Sequence, residues 1–306
     1  MAVMKPTIIG GAGGGAAGGA RGARKAAGGG ARGRRKAGVS AGAARGGARG
    51  AGASAGAAGG GARGAGAAGG AGFPGFPAEG MAFLRSLKRN NRREWFQPRK
   101  HIYDEKVRGP MVALVSALTA AMTKFAPDYV REPEAAVYRI YRDTRFSPDK
   151  TPYKTHVAAI FQRRGLDKHA SAGLYFSVSP ETVEIAGGVY MPTPDELRAI
   201  RSYMVDHHQE FRRIVRGRTL RALMGELMGA ELTRVPKGFD GEHPSADLVR
   251  RKQWLLDVEL DAGLATGPKL YEELVKRFRV MIPFVEFLNA PLVAGRRPVK
   301  AERFFA

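Results

Sequence analysis

Apolar residues recur at helical spacing through the first part of the patterned chain. Phe83, Leu84 and Leu87 predict an inward stripe on a helix from Glu79 to about Arg89, which Asn90-Asn91 breaks. Asn91 and Glu94 stand at capping-box spacing and predict a second helix that presents Trp95, Phe96, Ile102 and Tyr103. A third is expected from Pro110, with Met111, Leu114, Val115, Leu118, Met122 and Phe125 as a buried stripe. The period then shortens. Val137 to Tyr141, His156 to Phe161, Leu174 to Val178 and Thr182 to Ile185 are brief β-branched or aromatic runs set off by Pro148, Pro152, Pro180 and Gly187-Gly188. Connections too short for crossover helices predict antiparallel pairing.

Helical spacing returns at Thr193-Pro194-Asp195-Glu196, which reads as cap, first-turn proline and first-turn acids. Leu197, Ile200, Met204, Phe211 and Ile214 mark its inner face, and Leu220 to Met228 continues helical. Trp254, Leu256, Val258 and Leu260 alternate, which predicts a strand and leaves a helix open. The last helix is expected from about Pro268 past Phe278, with Pro283 kinking or dividing it. Helices, a meander and more helices make the predicted class α+β: a mainly antiparallel sheet flanked by N-terminal and C-terminal helices, preceded by a disordered N-terminal tail.

Composition changes the picture for that tail. Of 42 glycines in the 306 residues, 27 fall in residues 1–72, and from Gly10 to Gly72 there is no aromatic residue and no Leu. Nothing there offsets the entropy of ordering the chain, so residues 1–72 read as a disordered Gly/Ala/Arg-rich extension. Roughly 235 residues then remain for a core, and residues 73–306 are taken as a single α+β domain. The chain carries 50 Lys and Arg against 28 Asp and Glu, a net charge of +22. The tail holds 11 of those bases and no acid, with Arg32, Arg34, Arg35 and Lys36 as its densest run. That charge suits weak, salt-sensitive contact with nucleic acid, although no aromatic residue is interleaved for stacking. It also leaves organellar targeting by the tail open, beside an expected cytoplasmic location. Absence of cysteine excludes disulfides, thiolate catalysis and cysteine-ligated metal. No run of about 18 apolar residues occurs, so no membrane partner is expected. Gly52-Ala53-Ser54-Ala55-Gly56 matches a nucleophile elbow by letter alone, lacking the strand and the hydrophobic helix that the motif needs.

The densest chemistry lies between two predicted strands, from Arg139 to His156. Arg142, Arg145, Lys150 and Lys154 supply cations there, Tyr153 a hydroxyl, and Asp143 and Asp149 carboxylates that could orient an arginine or act as a base. A second loop, Pro236 to Pro244, adds Lys237 and the titratable His243. Together these residues predict a site for a small phosphorylated or carboxylated anion. Two alternatives stand beside it: non-specific nucleic-acid association through tail and core, and a structural or interaction domain whose Arg/Asp cluster is an internal ion-pair lock. The residues fix no reaction and no cofactor. His207 and His208 point to different sides of one helix, and no metal site is expected.

Phe73-Pro74, Phe83-Leu84, Asn90-Asn91, Glu94-Trp95-Phe96, Arg142-Asp143-x-Arg145-Phe146-Ser147-x-Asp149-Lys150-x-Pro152-Tyr153-Lys154, Gly187-Gly188, Pro236-Lys237-Gly238-Phe239 and His243-Pro244 closely resemble the family known as domain of unknown function 2461, over about residues 73–288. The resemblance implies a continuous single domain and carries over no activity or catalytic residue.

Overall fold

The computed structural model describes residues 72–166 and 171–295. The expected tail, but for its last residue, lies outside them. Four strands are built where the pattern shortens: β1 (Val157–Gln162), β2 (Gly173–Val178), β3 (Thr182–Val189) and β4 (Trp254–Asp261). They form one sheet in the order β1-β2-β3-β4, and every neighbour is antiparallel. A tight turn joins β2 to β3: Ser179 N–H donates to Thr182 O at 2.9 Å, and Ser179 Oγ accepts from the Thr182 amide at 2.9 Å.

Helices cover one face of this sheet. Before it come α1 (Ala78–Arg89), α2 (Arg93–Phe96), α3 (Lys100–Tyr103), α4 (Gly109–Met122) and α5 (Pro133–Ala136). A π turn at Asp104–Arg108 joins α3 to α4. Between β3 and β4 lie α6 (Pro194–Val215), α7 (Arg218–Met224) and α8 (Ala246–Val249), and α9 (Lys269–Ala294) follows β4. The capping box at Thr193 is complete: Glu196 N–H donates to Thr193 Oγ1 at 3.4 Å, and Thr193 N–H donates to Glu196 Oε2 at 2.8 Å. Alternation along the strands sends Phe161, Leu174, Phe176, Ile185 and Leu256 toward α9, where Phe278 packs edge-on against Phe161 with ring centres 5.6 Å apart. A Cβ on Gly187 would stand 2.7 Å from Met281 Sδ, so the missing side chain lets α9 lie close. The buried apolar residues from Phe73 to Leu292 form one contiguous core. Asn289 of α9 is buried within it; its Nδ2 donates to Ala172 O and to the Tyr129 hydroxyl, and its Oδ1 accepts from Ala172 N–H, each at 2.9 Å.

Several expectations give way to other structure. Val137 to Tyr141 is not a strand; it makes two single bridges, Val137 with Ala159 and Tyr141 with Tyr153. The segment leaves β1 and turns back on itself, because Arg142 N–H donates to Pro152 O at 2.9 Å and Lys154 N–H to Ile140 O at 2.8 Å. The Asn91–Glu94 capping box does not form, since Arg92 takes the cap position of α2. Asn91 instead brackets the Tyr153 backbone, donating to its carbonyl at 2.8 Å and accepting from its amide at 3.0 Å. Leu220 to Met228 is helical only to Met224; Gly225 at φ +73° ends it, and Met228 pairs with Leu255 at the outer edge of β4. Pro283 does not divide α9, which runs unbroken with Phe284, Val285 and Leu288 buried just beyond it. Trp254 onward is a strand, as alternation predicts.

Candidate functional site

The sheet face turned away from α9 carries the other half of each strand: Ala158, Ile160 and Gln162; Gly173, Tyr175 and Ser177; Glu184, Ala186 and Gly188; Leu255, Asp257 and Glu259. Its central positions are small, and this leaves a hollow. Gly188 sits at φ +127°, and a Cβ there would come within 2.0 Å of Trp254 O, so only glycine fits. A cavity of about 680 Å³ lies over this floor. The turned-back arm, residues 137–156, walls it with Tyr138, Arg139, Tyr141, Lys154 and His156, and Tyr190 and Met191 close another side. Tyr138 meets Tyr175 edge-on at 6.3 Å, and Lys154 Nζ rests 4.7 Å over the Tyr138 ring. Arg139 is exposed at the rim.

Burial sets the electrostatics of this face. It pushes the Tyr138 hydroxyl up to about 12 and raises Tyr175 further, with Glu184 adding to the latter. His156 is pushed down to about 4, first by burial and then by the Lys154 and Arg142 charges, so its ring is neutral near pH 7. Beyond the cavity floor, Glu184 is 6% exposed and accepts from the Ser177 hydroxyl at 3.1 Å. Burial and then the neighbouring Asp257 raise it to about 7. Asp257 itself is raised to about 6 by burial and then by Glu259. Glu184 Oε1, Asp257 Oδ1 and both amide atoms of Gln162 are shut from solvent without a hydrogen-bond partner.

The arm holds most of the residues expected to bind an anion, and it pairs them with each other. Arg145 forks onto Asp143, Nε to Oδ1 at 3.0 Å and Nη2 to Oδ2 at 2.7 Å, with its side chain 76% exposed and its guanidinium 5.7 Å from the Phe146 ring centre. That fork holds the Asp143 carboxyl down at about 2. Arg142 donates to Asp149 and to Thr151, and Asp149 is likewise held at about 2, by Arg142 first and then by the Thr151 amide. Lys150 Nζ donates to Thr144 O at 2.9 Å. Tyr153 is buried and stacks on Phe96 with ring centres 4.1 Å apart. Of these residues, Lys154 and Asp143 line the cavity. Lys237 is exposed in the loop before α8, where His243 Nδ1 lies 2.8 Å from Ser245 Oγ, and neither Lys237 nor His243 lines the cavity.

A family profile described as "Conserved hypothetical protein (DUF2461)" matches residues 79–287, from α1 through most of α9. The chain belongs to DUF2461. The match takes in every strand, the arm and the whole hollow of the DUF2461 domain. No curated protein matches the chain.

Sequence reasoning missed the polar sheet face of the DUF2461 domain. Gln162, Tyr175 and Glu184 stand among mostly apolar neighbours, and Asp257 is one of the polar positions in the alternation of β4, with no motif around any of them. A signal existed in the short β2–β3 turn, which fixes the register and sets Ser177 opposite Glu184. No such local signal places Gln162 and the arm on one cavity.

Proposed function

We propose that the DUF2461 domain binds a small organic anion in the hollow of its open sheet face. One observation carries the reading: a cavity of about 680 Å³, within the range of small-molecule sites, has Arg139 and Lys154 at its wall and flat tyrosine rings beside them. The carboxylate or phosphate of the ligand meets the two cations, and its body lies over Gly188 and Ala186 against Tyr175. His156, neutral near pH 7, offers a hydrogen bond without adding charge. The pairs Asp143–Arg145 and Arg142–Asp149 brace the arm that carries Lys154, so the arginine-rich turn acts as support.

Calorimetric titration of the full chain with carboxylate- and phosphate-bearing metabolites tests this. Lys154→Met and Arg139→Ala are each expected to weaken binding by about 1.5–3 kcal/mol, the range for a charge-assisted contact. Arg145→Ala is expected to leave affinity within about threefold, because its side chain is exposed, pairs with Asp143 and does not line the cavity. A loss in Arg145→Ala equal to that in Lys154→Met would place the anion at the turn instead.

A further inference from the structure

His156 ends the returning arm just before β1 and lines the hollow together with Lys154, two residues earlier. Its ring is half-buried, and among the described residues neither nitrogen takes part in a hydrogen bond or ion pair within the chain. Neither belongs to the unpaired polar atoms that the fold shuts from solvent, so the ring keeps a reachable edge at the cavity wall. Two causes hold it neutral: burial first, then the charges of Lys154 and Arg142. The second cause is removable. Arg142 is already matched by Asp149, whereas Lys154 stands where an incoming anion meets it. Such an anion cancels a charge that His156 feels and brings one of opposite sign beside the ring.

We propose that His156 is a third anion-binding group of the hollow, and that it takes up a proton from solvent as the anion binds. The imidazolium carries a donor on each nitrogen, so the anion gains a charge-assisted hydrogen bond that the neutral ring does not supply. Binding and protonation then favour each other: the ligand holds the proton on the ring, and acid tightens the hollow on its ligand. An opposite charge within about 4–6 Å moves a titrating group by about one to three pH units. The free ring titrates at about 4 and the bound ring higher, so affinity rises as pH falls from neutral toward 4 and levels off below. Around the same cavity stand Tyr138, Arg139, Tyr141 and Asp143 of the arm, Tyr175 of β2 and Tyr190 after β3. Tyrosine and arginine keep their protons between about pH 5 and pH 8, and Asp143 is held ionised by Arg145. Glu184 of β3 and Asp257 of β4, on the same sheet face, do titrate in that range and are the competing source of a proton effect. This inference rests on the hollow being a binding site.

Phenyl sulfate and benzoate are the probes, because each keeps a single negative charge from about pH 5 to pH 8 and a proton taken up on binding then belongs to the protein. Titration calorimetry of the full chain is run at about pH 5 and pH 7.5 in buffers of different ionisation heat, and Lys154→Met marks which heat comes from the hollow. At least one probe is expected to bind about tenfold more tightly at the lower pH, with uptake of most of one proton there. His156→Gln, uncharged throughout, is expected to lose both the pH dependence and the uptake. Magnetic resonance of the His156 ring in the parent serves if that variant does not fold: its midpoint is expected near 4 alone and about two pH units higher with saturating probe. Equal affinity at the two pH values overturns the inference, as does binding without proton uptake or an unmoved ring midpoint. Uptake that persists in His156→Gln overturns it too, and assigns the proton to Glu184 or Asp257. Where a probe binds equally at both pH values and Lys154→Met weakens it, the anion site stands and the role of His156 falls. Where neither probe binds at either pH, both readings fall.

Discussion

Asn289 joins the segment leading into β2 to α9 through one side chain, and its three bonds satisfy both the amide and the carbonyl of Ala172. Asn289→Ala strips the Ala172 amide and carbonyl of their partners inside the core. The expected loss is about 3 kcal/mol, readable as a lowered urea midpoint, and a change under about 1 kcal/mol would show that the corner rearranges. Glu184 works in the opposite direction. Its folded value near 7 lies above its ordinary 4.5, so the fold holds a proton that the open chain releases. The stability linked to that proton is full below about 4.5 and is lost as pH rises through 7. Glu184→Gln removes the loss, so the melting difference between variant and parent should widen in the variant's favour from pH 5 to pH 8. A constant difference would mean that the carboxyl is charged throughout. His156 contributes with the other sign: its neutral ring loses stability as pH falls from 6.5 toward 4, in parent and variant alike.

Elements with a local signature are readable from their own residues. Thr193-Pro194-Asp195-Glu196 predicts the start of α6, and the alternation from Trp254 predicts β4, because capping and pleat each depend on a few neighbours. Val137 to Tyr141 looks like a strand by composition, yet strand identity depends on who pairs with it. Its bonds go to Ala158 and then to its own return at Pro152 and Lys154, which composition cannot encode. The charged turn was legible as a cluster; its ion pairs and the hollow beside it needed the third dimension. Gly188 gives this scale a direct test. Gly188→Ala must carry a side chain at φ +127° against the Trp254 carbonyl, and is expected to cost about 2–4 kcal/mol from backbone strain and overpacking. Thermal melts comparing it with Gly165→Ala check this. Gly165 also has positive φ, but a Cβ there meets nothing within 4 Å. Equal losses would assign the whole effect to backbone angle.

At the scale of the molecule, α9 and its neighbours occupy one face of a four-stranded sheet, and the other face is left for the arm and the hollow. The class was legible from the succession of periods, since helices, meander and helices leave few ways to cover a short antiparallel sheet. Which face would stay open was not, because β2 and β3 bury most positions on both sides. The edges of that sheet carry a separate consequence. Val137 and Tyr138 bond to the outer side of β1, and Met228 to the outer side of β4 near its start. Farther along, β4 presents the exposed acids Glu259 and Asp261. A second copy seeking to extend the sheet meets an occupied rim on one flank and repelling acids on the other, the means by which sheet proteins resist edge-to-edge aggregation. Crowding these molecules together should therefore not join their sheets edge to edge until the arm is peeled away from β1.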